Sequence, residues 1–228
     1  LKKQAVSGVV WSAAERFSVQ GVQFVVMIVM ARVLSPSDYG LIGMLAVFIA
    51  VAQSLVDSGF SQALIRKQGR TRVDESTVFY FNIAVGLLLY GLLYAMSPWV
   101  AGFYDSPELE PLMRVVCLGV VFNSLAVVQR ARLTLEIDFK TQAKASLTAA
   151  IVSGIVGIWM AHTGWGVWSI AAQQLVNLGV NTLLLWLLAK WRPLWTYSWR
   201  SFRELFSFGS KLMLSGLLDV LYRNIYLI

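Results

Sequence analysis

Charge is scarce in this chain. Only 14% of its 228 residues are Asp, Glu, Lys or Arg, against about 25% in an average soluble domain. That shortage excludes a solvated surface over most of the polypeptide. There is one cysteine, Cys117, so an intramolecular disulfide and a cysteine zinc cluster are excluded. Inside an apolar run, Cys117 reads as a small buried hydrophobe. There is one histidine, His162. It falls in a short loop with no carboxylate cluster nearby and reads as a solvated residue, not a base. No Gly-rich phosphate loop of the Walker type occurs, which argues against ATP as the energy source. No nucleophile–base pair or metal-ligand cluster stands out. Through Ile228 the expectation is therefore no enzyme, no metal and no cofactor.

What is present is hydrocarbon: 57% of the residues are hydrophobic, and they come in long unbroken runs. A helix needs about 20 apolar residues to cross the roughly 30 Å core of a bilayer. Runs at 5–34, 38–65, 77–103, 109–129, 145–163 and 167–189 meet that length. Another begins near Phe206 and is still apolar at Ile228. Continuous runs, rather than ten-residue alternating segments, argue against a β-barrel. The expected fold is all-α and polytopic. Residues 1–190 would form a six-helix transmembrane bundle and 191–205 a linker helix. Residues 206–228 would start a seventh helix belonging to a second bundle. The first run is too long for a signal-peptide core and lacks a small-residue cleavage site. The chain starts without Met and stops inside an apolar run, so a piece of a longer protein is expected.

The net charge of +7 would suit nucleic acid, but its placement does not. Lys2 and Lys3 precede the first run, and Arg66, Lys67, Arg70 and Arg72 follow the second. Arg130, Arg132, Lys140 and Lys144 follow the fourth; Lys190, Arg192, Arg200 and Arg203 follow the sixth. These are 14 of the 19 basic residues, all on one side of an alternating topology. Cytoplasmic loops hold the excess of Lys and Arg, which predicts a cytoplasmic N-terminus. Anionic membrane lipids would attract the same loops. Trp99, Trp165 and Trp168 mark outer span ends, and Trp191, Trp195 and Trp199 mark inner ones, as interfacial rings do. Trp199, Phe202 and Phe206 share one helical face, which predicts a short helix lying in the interface.

Five charges are singled out as lying within the spans, away from the basic loops: Glu15, Arg16, Asp57, Asp219 and Arg223. Each costs about 2.5–3.5 kcal/mol at a helix centre on insertion scales, so each needs a partner or water. Two readings stand. Internal pairing, Arg16 with Asp57 for instance, would fix helix packing. Alternatively, a hydrated cavity would use the charges on a charged substrate or a coupling ion. Glu15 and Arg16 point about 100° apart on a helix and do not simply cancel. Asp57-Ser58-Gly59 also suits a turn or kink. Amides recur within the runs at Gln20, Gln23, Gln53, Asn82, Asn123, Gln173, Gln174, Asn177 and Asn181. Most would be interhelical hydrogen bonds, and some would line a sugar-sized path. The glycines Gly8, Gly21, Gly43, Gly86, Gly91, Gly154 and Gly157 would let helices approach closely.

The run from Leu34 through Ser35-Pro36-Ser37-Asp38-Tyr39 to Gly40, with Ser58-Gly59-Phe60-Ser61-Gln62-Ala63-Leu64-Ile65, resembles the bacterial polysaccharide flippases. These belong to the multidrug/oligosaccharidyl-lipid/polysaccharide exporter superfamily, and the resemblance is to the colanic-acid and teichuronic-acid exporter type. Phe206-Ser207-Phe208-Gly209-Ser210-Lys211, continuing to Tyr222-Arg223-Asn224, resembles the opening of that family's second bundle. The resemblance covers the chain as an N-terminal half. It implies two six-helix bundles about an axis normal to the membrane, a known transporter architecture. It implies a bacterial inner-membrane transporter for an undecaprenyl-pyrophosphate-linked oligosaccharide, working by alternating access for surface polysaccharide biosynthesis. Glu15, Arg16, Asp219 and Arg223 would then be cavity charges, with arginine suited to pyrophosphate. Asp57 would bind a coupling ion, H+ or Na+, or form a structural pair. Partners would be the lipid-linked oligosaccharide, membrane lipids and polysaccharide-assembly proteins, with no nucleic acid. The rival is a cation-coupled multidrug exporter of the same superfamily, with a carboxylate-dominated cavity.

Overall fold

The computed structural model describes residues 2–57, 59–67, 69–189 and 191–224, with side chains from Trp11 onward except at 57, 220, 221, 223 and 224. The described residues form helices α1 (Lys2–Ala31), α2 (Pro36–Asp57), α3 (Phe60–Arg66), α4 (Arg72–Phe103) and α5 (Leu109–Val116). They continue with α6 (Leu118–Leu135), α7 (Phe139–His162), α8 (Val167–Leu188) and α9 (Trp199–Asn224). Among the described residues, six stretches are long and apolar enough to cross a membrane: 11–31, 36–66, 72–103, 109–135, 139–162 and 167–188. The expected all-α, six-span bundle is what the chain forms. Large apolar side chains face outward along it, Phe17 at 79% and Phe103 at 82% exposure among them. In lipid such a surface carries no penalty.

Local chemistry sets the helix ends. Thr71 caps α4: its Oγ1 accepts from the Asp74 N–H, and the Asp74 carboxylate accepts from the Thr71 N–H at 2.8 Å. This reciprocal box satisfies two orphan donors. Asp74 and Glu75 thus occupy the first turn, where the helix dipole favours negative charge. Asp138 caps α7 by accepting from the Thr141 N–H at 3.1 Å.

Two of the expected single spans are broken. The second run divides between α2 and α3, with Gly59 ahead of Phe60. Gly59 is required there, because a Cβ would lie 2.1 Å from the backbone oxygen of Gly209 on α9. The fourth run divides at Cys117, where φ −66° and ψ −14° tighten the turn between α5 and α6. The Cys117 N–H still donates to the Met113 carbonyl at 3.0 Å, so the bend leaves that donor satisfied. Cys117 is fully buried, and His162 is exposed at the end of α7.

The main core joins α2, α4, α5, α6 and α8 around Leu45, Leu112, Met113 and Val120. A second core, at the basic end, joins α3, α4, α6 and α9 around Phe60, Phe79 and Trp191. Two expectations change here. Trp191 does not join an interfacial belt; it is 1% exposed and edge-on to Phe79, with centroids 5.7 Å apart. The 199–206 segment does not lie alone in the interface. It forms the first turns of α9, and its Phe202 and Phe206 pack on Phe60. The helix runs on through 206 to Asn224 without a break.

Candidate functional site

The α1–α7 pair forms a wall with two unlike faces. On one face Ser12, Glu15, Arg16, Gln20 and Gln23 of α1 meet Phe139, Gln142 and Ser146 of α7 and Thr134 of α6. Together they line a groove of about 480 Å³. The α1 positions recur at three- and four-residue intervals, the spacing of one helical face. Glu15 is half-buried and accepts a 2.8 Å hydrogen bond from the Ser146 hydroxyl. Arg16 is exposed along the same groove. The buried Gln142 Oε1 has no partner among the described residues. It is an acceptor available to water or to a ligand hydroxyl.

Gln23 also lines a second space, of about 380 Å³. This chamber lies between α1, α2, α7 and α8. Its polar lining is Gln23, Gln53, Ser153, Gln173, Gln174 and Asn177, with Ile42, Ala46, Ile49, Ala50 and Leu178 between them. Asn177 Nδ2 donates to Ser153 Oγ at 3.2 Å, which orients that amide. Each amide both donates and accepts. A chamber lined by neutral amides suits a hydroxyl-rich ligand, and the Glu15–Arg16 groove, which shares Gln23 with it, adds one charge of each sign.

The opposite face of the wall is apolar. Phe17, Gly21, Val22, Val25, Ile151, Ile155 and Ile158 line a shallow depression there. One helix thus carries a polar face and an apolar one.

Of the sequence-predicted charges, the structure brings Glu15 and Arg16 into one groove. Asp219 lies exposed on α9, a helix whose main packing partners are α2, α3 and α4. The side chains of Asp57 and Arg223 lie outside the described residues. Five of the amides noted in the sequence, Gln23, Gln53, Gln173, Gln174 and Asn177, converge on the chamber. Asn82 and Asn123 are instead buried against other helices, and Asn123 accepts from Arg130. Sequence reasoning missed Ser12, Gln142 and Ser146. A signal existed: 142, 146 and 153 follow a helical period along α7.

At the basic end, Lys67 Nζ lies 3.0 Å from both Asp74 Oδ1 and Glu204 Oε2, tying α9 to the start of α4. Burial pushes the Lys67 ammonium down, but hydrogen bonds and attraction from Glu204 and Asp74 outweigh it, and its pKa is raised. Glu75 faces Arg70 at 3.9 Å and Arg132 at 3.8 Å.

Membrane-length helices around an amide-lined chamber define a multi-pass membrane protein, and solved structures give its fold. The chain superposes on a crystal structure of a point mutant of a MATE protein with a TM-score of 0.58 at 19% identity, covering 92% of this chain and 53% of that one. An inward-facing multidrug resistance MATE family transporter of the MOP superfamily gives 0.59 at 20%, covering 89% and 51%. The chain belongs to the polysaccharide biosynthesis protein family, which it matches over residues 29–228. It is 27% identical to the teichuronic acid biosynthesis protein TuaB of Bacillus subtilis, over 100% of this chain and 48% of that protein. It is 24% identical to the succinoglycan biosynthesis transport protein ExoT of Rhizobium meliloti, over 91% and 42%. With the lipopolysaccharide biosynthesis protein WzxC of Escherichia coli the identity is 25%, over 99% and 46%. The chain therefore spans about half the length of these relatives.

Proposed function

We propose that this chain is the N-terminal bundle of a transporter that moves a lipid-linked oligosaccharide across the bacterial cytoplasmic membrane for surface-polysaccharide synthesis. The observation that carries the proposal is the amide chamber, which shares its lining residue Gln23 with the Glu15–Arg16 groove. Sugar hydroxyls exchange hydrogen bonds with neutral amides. The undecaprenyl-pyrophosphate linkage carries negative charge, for which the Arg16 guanidinium offers a bidentate fork. The membrane holds the tail, the N-terminus faces the cytoplasm, and no covalent chemistry is required of the protein. Alternating access of the groove and chamber to the two membrane faces, coupled to H+ or Na+, would move the head.

The test uses the full-length protein. Gln174→Leu and Arg16→Ala variants are matched for expression and assayed for polymer export. A charge-assisted hydrogen bond contributes about 1.5–3 kcal/mol, so Arg16→Ala is expected to lower export about tenfold or more. Undiminished export by both variants would remove the groove and chamber from the transport path. The half-buried Glu15, held by Ser146, favours a second reading, a cation-coupled drug exporter. Drug efflux in a pump-deficient strain, lost on Glu15→Gln while polymer export persists, would select it.

A further inference from the structure

The basic end holds a cavity that the transport reading does not use. About 500 Å³ in volume, it is lined by Gly69, Arg70, Thr71, Arg72, Glu75 and Arg132. Arg72 opens α4 and Arg132 lies in the last turn of α6. The cavity therefore lies where two membrane-length helices end, the depth at which lipid headgroups lie.

Its charges are unevenly matched. Three guanidiniums line it with one carboxylate, Glu75, which is 7% exposed. Glu75 Oε1 is 3.9 Å from Arg70 Nε and 3.8 Å from Arg132 Nε, beyond hydrogen-bond length. Glu136 occupies one edge of Arg132 at 2.6 Å. Arg72 has no ion pair or side-chain hydrogen bond among the described residues. Each guanidinium carries five N–H donors, and most of these have no partner among the described residues. Glu75 gathers the arginines without using up their donors. Gly69, at the cavity's edge, turns the chain with φ +69°.

We propose that Arg70, Arg72 and Arg132 form a binding site for a phosphoryl group, as carried by an anionic phospholipid headgroup or by a soluble phosphate. Guanidinium forks match phosphate oxygens in pairs, and basic pockets between membrane helices hold acidic headgroups. The site is separate from the Glu15–Arg16 groove and does not rest on the transport reading.

The full-length protein in detergent is titrated with phosphatidylglycerol and, in parallel, with phosphatidylcholine, and bound lipid is counted by native mass spectrometry. Preferential retention of phosphatidylglycerol is expected. The Arg70→Gln/Arg72→Gln double variant should weaken it about 30-fold, at roughly fivefold per arginine. Arg203→Gln, which removes a cation outside the cavity, should leave it unchanged. Arg72→Gln alone disturbs no pairing, so it should show the fivefold loss with an unaltered melting curve. A separate arm titrates inorganic pyrophosphate. Binding of pyrophosphate but not of phosphatidylglycerol, lost in the double variant, assigns the site to soluble phosphates. Equal retention of both lipids by wild type and double variant, with no pyrophosphate binding, overturns the proposal.

Discussion

Gly59 illustrates how a single missing side chain decides the packing of two helices. The space a Cβ would need is occupied by the Gly209 backbone oxygen, 2.1 Å away. Backbone cannot swing aside as a flexible side chain can, so α9 would have to shift. Gly59→Ala is therefore expected to destabilise by about 1–3 kcal/mol, the usual cost of overpacking. Gly91, in the middle of α4, meets nothing within 4 Å. Gly91→Ala should be neutral or stabilise by up to about 1 kcal/mol, as Ala replaces Gly in a helix interior. Thermal melting of both variants in one detergent checks the contrast; equal melting temperatures would mean that the Gly59–Gly209 contact does not hold. The sequence shows both glycines, and a resemblance marks the segments around them. Nothing in either segment says that they touch, because contact between residues so far apart depends on where α9 lands.

The start of α4 does three jobs at once. Its capping box ends the preceding turn, its acids gather basic residues from the α3–α4 connection and from α6, and its hydroxyls hold the linker. Ser76 Oγ accepts from the Leu194 N–H at 2.9 Å and Thr77 Oγ1 from the Ser198 N–H at 3.1 Å. The same hydroxyls donate to the Arg72 and Val73 carbonyls, a back-bonding habit of Ser and Thr in helices. Replacing both, Ser76→Ala with Thr77→Val, leaves two linker amides without acceptors at about 1–3 kcal/mol each. Faster hydrogen exchange at the Leu194 and Ser198 amides is expected, with α4 itself still protected. Unchanged exchange would show that Trp191 packing alone holds the linker. The Lys67 link to α9 should be insensitive to ordinary pH. A raised ammonium pKa contributes fully below the unfolded value of about 10.4 and fades only as pH climbs through the folded one. Apolar length made the six spans legible, since a helix needs a bilayer's worth of hydrocarbon. The breaks at Gly59 and Cys117 were not legible, since an apolar run reads alike whether straight or bent. The aromatic face at 199–206 was legible, but not that Phe202 and Phe206 pack on Phe60, because such a face suits a membrane border and a protein partner equally well.

At the scale of the molecule, the chamber depends on how α1, α2, α7 and α8 are rotated about their axes. Hydropathy does not encode that rotation. The sequence placed nine amides inside the membrane but could not divide them, and packing turned five inward to one chamber while burying Asn82 and Asn123 between other helices. It marked Glu15 and Arg16 because charge in hydrocarbon is costly. It did not supply Ser146, whose hydroxyl matters only once α7 is alongside α1. The resulting wall makes a sharp prediction about water. A single cysteine at Gln23 should react with a membrane-impermeant maleimide, because Gln23 is exposed and lines both polar spaces. Cysteines at Val25 and Ile155, on the apolar side of the same wall, should stay unlabelled until detergent denaturation. The native Cys117 is 0% exposed and should give no background, so it need not be removed. Gln23 and Val25 are only two residues apart on α1, so depth in the membrane cannot produce the difference. Labelling of Val25 and Ile155 at the rate of Gln23 would mean that the wall does not separate water from lipid, and the chamber could not hold a hydrated sugar.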